Sequence, residues 1–428
     1  VYDVGNKPRE SAVIVSVVRK GTSPDVIQEH LDELALLLDT AGADVSARMY
    51  QERTRPDVAT ALGSGKVQEL KAILEETGST LVVFDDDLTP GQVRNLERET
   101  NVKILDRCGV ILDIFASRAR SVEARTQVEL AQHEYLLPRL TRMWTHLSKQ
   151  YGGVGTRGPG ETQIETDRRM FRQRIQRLKE KLAQVETQRT VQRASREGLP
   201  RFALVGYTNA GKSSLLNALT QTDSYVEDRL FATLDTTVRA LQVPDGRKIL
   251  LSDTVGFIRK LPPQLVASFR STLAETLEAD VLVHVVDASN DSYREHIDVV
   301  RQTLDSLGAI SIPTVMVFNK IDALSDRHRL SDIELEFPDA VFVSALRGIN
   351  LNRLLSSMCQ AFDESSNLLT LTVSYDDGKR EHGIYAETSV IARSEEPEGV
   401  KLSVRVPSDR LSAFKLRYAD LLQNTSLP

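Results

Sequence analysis

The stretch Phe202-Ala203-Leu204-Val205-Gly206-Tyr207-Thr208-Asn209-Ala210-Gly211-Lys212-Ser213-Ser214-Leu215-Leu216 decides the fold. It reads as an apolar strand, then the pattern GxxxxGK[ST], then the first turn of a helix. A strand that feeds such a loop into a helix N-terminus makes a phosphate cradle. Backbone N–H groups converge on the anion, and the positive end of the helix dipole faces it. Gly206, Tyr207, Thr208, Asn209, Ala210, Gly211, Lys212, Ser213 and Ser214 are therefore the expected phosphate-binding residues. The Lys212 ammonium is expected to reach the β- and γ-phosphates, and the Ser213 hydroxyl to hold Mg²⁺. Gly63-Ser64-Gly65-Lys66 imitates this loop, but Thr60 stands where its first glycine belongs and Val67 follows the lysine.

Further signals follow in the order a nucleotide domain requires. Asp253-Thr254-Val255-Gly256 comes after the apolar run Ile249-Leu250-Leu251. A carboxylate at that strand end can hold Mg²⁺ through water, and Gly256 lets its N–H meet the γ-phosphate with no side chain in the way. Asn319-Lys320-Ile321-Asp322 ends the apolar run Thr314–Phe318. Asp322 can accept hydrogen bonds from both the ring N–H and the exocyclic amine of guanine, a donor pair that adenine lacks. This residue narrows the nucleotide to GTP or GDP. Asn319 is expected to brace the loops and Lys320 to lie along the base. Ser344-Ala345-Leu346 follows the run Ala340–Val343 and can bring backbone N–H groups to the guanine oxygen.

Between Ser213 and Asp253, the segment Phe231-Ala232-Thr233-Leu234-Asp235-Thr236-Thr237 must supply a threonine that completes the Mg²⁺ shell and senses the γ-phosphate. Thr233 is the expected residue, with Thr237 as the alternative. Lys212, Thr233 and Gly256 are the expected catalytic groups, and Ser213, Thr233 and Asp253 the expected metal ligands. Phe257 stands where many such enzymes carry a glutamine that orients the attacking water. Slow hydrolysis by the isolated chain is expected, with a partner or another loop completing the site.

The chain of 428 residues is long enough for several domains. Its 54 basic and 60 acidic side chains give a formal charge of −6, so any attraction to nucleic acid must come from a local patch. Cys108 and Cys359 are the only cysteines, which excludes a disulfide framework and fits a reducing cytoplasm. No apolar run approaches the roughly 20 residues that span a bilayer, so no membrane insertion is expected. Ala12–Val18 reads as a strand, with no leader pattern ahead of it.

The expected architecture is α/β, in four parts. Residues 1–120 alternate apolar runs (Ala12–Val18, Asp44–Tyr50, Leu81–Phe84, Val102–Leu105) with helical patterns (Pro24–Ala41, Gly65–Glu76, Pro90–Thr100, Val110–Ala119), which argues for a small parallel sheet. The acidic run Asp85-Asp86-Asp87 reads as a solvated loop. Residues 121–199 read as a long antiparallel helical hairpin. Its first arm carries Pro138 and the apolar series Leu140, Trp144, Leu147 and Tyr151; its second carries Phe171, Ile175, Leu178, Leu182 and Val185 at heptad spacing. The tip, Tyr151–Thr162, holds five glycines in nine residues and suits close approach to a phosphate-rich surface. From Arg168 to Arg201 there are eleven Lys/Arg against three Glu, a basic arm on an acidic protein that points to RNA. Residues 200–366 form the nucleotide domain and 367–428 a small α+β module.

Several segments reach beyond generic nucleotide motifs: GGVGTRGPGETQIETDR (Gly152–Arg168), QVELAQ (Gln127–Gln132), YLLPRL (Tyr135–Leu140), FATLD (Phe231–Asp235) and DTVGFI (Asp253–Ile258). In these the chain closely resembles the HflX family of translation-associated GTPases, over nearly its whole length. The resemblance supports Thr233 as the switch threonine and a hydrophobic residue at Phe257. It implies binding to the large ribosomal subunit, with the hairpin, Arg157 and the Arg168–Arg201 region meeting ribosomal RNA near the peptidyl-transferase region. It also implies GTP-dependent separation of stalled ribosomes into subunits by a cytoplasmic, monomeric protein. Thr236 departs from the proline of many relatives. The competing expectations are an RNA-remodelling NTPase and a GTP-binding RNA scaffold with little hydrolysis.

Overall fold

The computed structural model describes residues 9–139, 159–194, 199–221, 230–234, 236–244, 246–261, 265, 275–324, 326–407 and 410–422. The chain divides into two compact units: Val1–Leu182 with Arg229–Phe231 and Leu261–Ser268, and the remainder.

The first unit holds a four-stranded parallel sheet of β1 (Glu10–Val18), β2 (Ala43–Glu52), β3 (Leu81–Phe84) and β4 (Lys103–Asp106), ordered β2-β1-β3-β4. The crossovers are α1 (Pro24–Ala41), α2 (Ser64–Thr77) and α3 (Pro90–Thr100). Local chemistry sets their ends. Ser23 accepts from the Val26 N–H ahead of α1, Pro24 opens the first turn, and Gly42 closes it in the left-handed region at φ 87°. Thr89 and Gln92 cap the start of α3 reciprocally. Ala12, Val13, Ile14 and Val15 are all fully buried, as a sheet with helices on both faces requires. The decoy glycine Gly63 serves as the N-cap of α2.

The acidic run after β3 is not the solvated loop its composition suggests. Asp85 is 0% exposed and accepts from Arg107 Nη1 at 2.8 Å. Arg107 opens α4 (Arg107–Arg118) and also donates through Nη2 to Glu33 at 2.7 Å. Asp86 accepts from the Val17 N–H at 2.9 Å. The reading failed because the cation that draws Asp85 inward lies on a different element. Among the described residues, no group of three or more His, Cys, Asp or Glu is placed to hold a metal ion. Arg107→Met takes from Asp85 and part-buried Glu33 the guanidinium that pairs with both, so a loss of about 3–5 kcal/mol in urea unfolding is expected, and Arg107→Met with Asp85→Leu should recover most of it. A single-variant loss below about 1 kcal/mol would sink this account.

Two further helices follow, α5 (Val122–Leu136) and α6 (Pro159–Ala194). Leu140–Gly158, with Trp144, Tyr151, Arg157 and most of the glycine-rich tip, lie outside the described residues. On α6, Leu178 is buried and Phe171, Ile175, Leu182 and Val185 are partly shielded, with exposed residues between them. The stripe meets α5 through a His133–Phe171 ring contact at 4.9 Å, flanked by Arg174–Glu129 at 2.6 Å and Lys179–Glu134 at 2.9 Å.

The second unit is built on a six-stranded sheet of β5 (Arg201–Gly206), β6 (Thr237–Gln242), β7 (Lys248–Asp253), β8 (Val281–Asp287), β9 (Thr314–Asn319) and β10 (Val341–Phe342). The order is β10-β9-β8-β5-β7-β6, and only β6 runs antiparallel to its neighbour. Its helices are α7 (Lys212–Thr220), α8 (Tyr293–Leu307), α9 (Arg327–Glu336) and α10 (Leu351–Ser365). Leu204, Val283 and Val317 from the strands pack with Leu215, Leu354 and Met358 from α7 and α10. A three-stranded antiparallel sheet follows, β11 (Ser366–Val373), β12 (Ser389–Glu396) and β13 (Gly399–Pro407), ordered β11-β13-β12, with α11 (Gly378–Glu387) and α12 (Leu411–Arg417). The protein is thus α/β, with a parallel sheet ahead of a nucleotide-type sheet and a small α+β module behind it. No helix among the described residues is long and apolar enough to cross a membrane.

Candidate nucleotide site

Parallel strands deliver their carboxyl ends to one edge of the sheet, where open α/β sheets bind ligands. Gly206, Asp253, Asp287 and Asn319 are the last residues of β5, β7, β8 and β9. The loop after β5 turns into α7 through Gly211, at φ 90°, where an added Cβ would sit 2.3 Å from Asn319 Nδ2. Only glycine satisfies both demands. Asn319 binds two loops at once: its Nδ2 donates to the Ala210 carbonyl at 3.0 Å and its Oδ1 accepts from the Ala345 N–H at 3.0 Å.

Lys212 is buried, and its Nζ donates to the carbonyls of Gly206 and Tyr207 at 3.0 and 2.9 Å. Burial pulls its pKa down to about 8, against the opposing attraction of Asp253. A lysine depressed in the folded chain costs stability below that value, and the cost fades as pH rises from about 8 towards 10.5. A triphosphate bound against Lys212 would restore the proton. Nucleotide binding is therefore expected to take up protons increasingly from pH 6.5 to 8.5, reaching roughly half a proton or more, as read from binding enthalpies in buffers of different ionisation heat. An unchanged uptake across that range would contradict the placement of Lys212 beside the phosphates.

The three expected metal ligands come together. Ser213 Oγ lies 2.6 Å from Thr233 Oγ1 and donates to Asp253 Oδ2 at 2.5 Å. Asp253 is 2% exposed, burial raises its pKa, and its Oδ1 has no hydrogen-bond partner. A buried carboxylate oxygen left unsatisfied beside two hydroxyls is a donor set that suits a hard cation. Thr237, the alternative, stands opposite Asp253 in the β6–β7 register, while it is Thr233 whose hydroxyl reaches Ser213.

Gly256 closes over the phosphate loop: a Cβ there would come within 2.7 Å of Thr208 Cα and 3.1 Å of Lys212 Nζ. The next residue is tied to the same loop, with the Thr208 N–H donating to the Phe257 carbonyl at 2.7 Å and the Phe257 N–H to Gly206 at 3.1 Å. The Phe257 ring is buried. Thr254 turns its hydroxyl to the Leu204 carbonyl at 2.7 Å. The Tyr207 ring stacks on His296 of α8 at 3.7 Å, and its hydroxyl accepts from the Arg259 N–H at 3.0 Å.

At the base end, Asp322 is exposed on the short turn Ile321–Ala323. Lys320 adopts φ 64° and its Nζ pairs with Asp287 Oδ2 at 2.7 Å. Ser344 is buried and accepts from the Arg347 N–H at 3.0 Å, and Leu346 is exposed. Of the remaining expected residues, Val255 and Leu234 are buried, Asn209 is exposed at φ 60°, and Ser214 and Ala232 are half-buried. Phe231 turns its buried ring edge-on to Phe115 of α4 at 4.7 Å. Asp235 lies outside the described residues. Asp287 was missed in the sequence, although it bears the mark that singled out Asp253: an acid closing an apolar strand.

Family models described as GTP-binding GTPase N-terminal, GTP-binding GTPase Middle Region and 50S ribosome-binding GTPase match residues 28–116, 118–196 and 201–320. The GTPase HflX of Escherichia coli (strain K12) is 42% identical over 410 residues, covering 95% of this chain and 95% of that protein. The chain belongs to the HflX family. HflX of Flavobacterium psychrophilum is 54% identical over 314 residues, 73% of this chain and 76% of that protein, and HflX of Caldanaerobacter subterraneus subsp. tengcongensis 43% identical over 402, 94% and 92%. Among solved structures, the SsGBP–GDP complex aligns at 25% identity over 83% of this chain and 99% of that one, with a TM-score of 0.46, and adds nothing to the assignment. As an HflX protein the chain is a GTP hydrolase that binds guanine nucleotide.

Proposed function

We propose that this HflX protein is a Mg²⁺-dependent GTP switch that binds the large ribosomal subunit and splits or rescues stalled ribosomes. The observation that carries the switch is the meeting of Thr233 with Ser213 and Asp253, whose second oxygen is buried without a partner. In this reading Ser213, Thr233 and Asp253 hold Mg²⁺, which neutralises charge on the phosphate oxygens when bound. Lys212 and the N–H groups from Gly206 to Ser214 hold the phosphates. Asn319 to Asp322 and Ser344 to Leu346 hold guanine. Thr233 and Gly256 sense the γ-phosphate, the hydroxyl of Thr233 as a ligand of the ion beside it and the N–H of Gly256 as a donor to it. The buried Phe257 ring cannot position water, which supports a low intrinsic rate raised by a partner.

The ribosomal part rests on the matching description, 50S ribosome-binding GTPase, and on the basic excess of the Arg168–Arg201 segment. Ribosomal RNA would meet that arm and the glycine-rich tip, with residues 1–120, 121–199, 200–366 and 367–428 acting as four parts. Hydrolysis then returns the chain to its weakly binding form. The test is GTP hydrolysis with and without purified large subunits, beside a variant lacking Gly152–Gly160. Strong stimulation that falls in the variant supports the reading. If subunits neither stimulate hydrolysis nor co-sediment with the GTP-bound protein, the ribosomal reading fails.

A further inference from the structure

β6 and β7 join the two segments that close on the nucleotide. Their near end, Thr237 opposite Asp253, lies at the Ser213–Thr233–Asp253 cluster, and their far end, Gln242 opposite Lys248, leads into the turn that carries Arg247. The ladder between these ends has no register shift. At about 3.4 Å per residue it spans roughly 20 Å. A hydrogen-bonded, close-packed ladder passes on a displacement rather than absorbing it. β6 is the outermost strand of the sheet, so β7's pairing with β5 is what holds the hairpin to the other strands.

The far end is gripped. Arg247 donates to both oxygens of Asp363, from Nη1 at 2.7 Å and from Nη2 at 3.3 Å. Asp363 lies in the last turn of α10, two residues before the end of that helix. From its other side comes Arg405 of β13, the central strand of the C-terminal sheet. The Arg405 Nε is 2.9 Å from Asp363 Oδ1, and its Nη1 donates to the Asp363 backbone carbonyl at 2.7 Å and to Ser366 Oγ at 3.3 Å. A guanidinium on a late helical carbonyl also meets the negative end of the helix dipole. All three side chains are largely shielded, with exposures of 22%, 29% and 21% for Arg247, Asp363 and Arg405. Asp363 therefore joins the hairpin turn, the end of α10 and the C-terminal module: its carboxylate is hydrogen-bonded to Arg247 and ion-paired, without a hydrogen bond, to Arg405 Nε, while its backbone carbonyl takes the Arg405 hydrogen bond.

We propose that Asp363 is a positioning residue for the GTPase: through Arg247 it sets the β6–β7 hairpin, and through Arg405 it makes the C-terminal module a reader of whether GTP or GDP is bound. The argument rests on the nucleotide site but not on the identity of the ribosomal partner. A γ-phosphate would hold the Thr233 and Gly256 segments in the closed arrangement at one end of the hairpin and its loss would free them, and Asp363 hands that change to β13 at the other. Coupling of this kind is reciprocal, so a force on the C-terminal module must change the preference for GTP over GDP by the same factor.

The experiment measures the affinities of the full chain for fluorescent GDP and for a non-hydrolysable GTP analogue, both with Mg²⁺. In Asp363→Asn the ratio of the two affinities is expected to move about fivefold or more from the parent value. Arg405→Met should move it in the same direction. Asp363→Asn combined with Arg247→Met should move it no further than either alone, because all act through one joint. Asp363→Glu, which keeps the charge, should restore most of the parent ratio. A merely structural role would lower the melting temperature and leave the ratio where it was; a ratio within twofold of the parent in Asp363→Asn and Arg405→Met overturns the proposal. If those variants do not fold, hydrogen exchange of the parent decides. Protection in Gly399–Pro407 that differs between the GDP and GTP-analogue states supports the coupling, and identical protection overturns it.

Discussion

Lys212→Ala is expected to lower kcat/KM for GTP hydrolysis by about 10²–10³-fold, the loss typical of deleting one preorganised charge at a developing anion. The size follows from burial. The ammonium sits among the Gly206 and Tyr207 carbonyls with Asp253 nearby, in a place where water does not replace a missing positive charge. Arginine should not rescue it. Lys212 Nζ would stand 3.1 Å from a Cβ at Gly256, so the space suits a compact ammonium and not a planar guanidinium. Single-turnover hydrolysis separates this effect from weaker binding. A loss of less than tenfold in Lys212→Ala would remove Lys212 from the chemistry.

Asp322→Asn is expected to weaken GTP binding by at least about 100-fold and to make xanthosine triphosphate the preferred nucleotide. A carboxylate meets the guanine N–H and amine as two acceptors, whereas an amide turns one acceptor into a donor and leaves a donor facing a donor. Sites built around paired hydrogen bonds reject a mismatched partner by factors of 10⁴ or more when buried, and about 10² is the conservative value for an exposed turn. Xanthine carries an oxygen where guanine has the amine, so the amide fits it. Asp322 lies exposed on a short turn, and its replacement should leave the melting temperature unchanged. Competition binding of the two nucleotides is the check, and undiminished GTP affinity in the variant would remove Asp322 from the base site.

Much of this was legible because the signals are local. Leu81–Phe84 and Pro90–Thr100 stand where the apolar run and the helical pattern placed them, since an unbroken apolar tetrad and a Thr-Pro-x-Gln start leave few alternatives. The strand, glycine turn and helix from Phe202 to Leu216 were legible for the same reason: their local chemistry is written in consecutive residues. What escaped was made by contacts far apart in the chain. Asp85 looked like part of a solvated run because Arg107 is 22 residues away and its second partner, Glu33, lies 74 residues before that arginine. Phe231 belonged to a nucleotide-binding segment by motif, yet its ring lies against Phe115, which no spacing rule connects to it. The Asp287–Lys320 pair spans neighbouring strands and surfaces only when β8 and β9 are set in register.

The unpartnered oxygen of Asp253 carries a consequence for how long the chain survives in a cell. Without a ligand the native state keeps a desolvated carboxylate oxygen with no hydrogen-bond partner, a penalty that the Lys212 attraction offsets only in part and that is absent once the chain unfolds. Whatever ligand relieves it shifts the folding equilibrium by mass action, as RT ln(1 + [L]/Kd). The folded fraction is therefore a function of the guanine nucleotide and divalent ion around it. When those pools fall, proteases that act on transiently opened chains gain access, and the amount of this GTPase declines together with the energy supply that it spends.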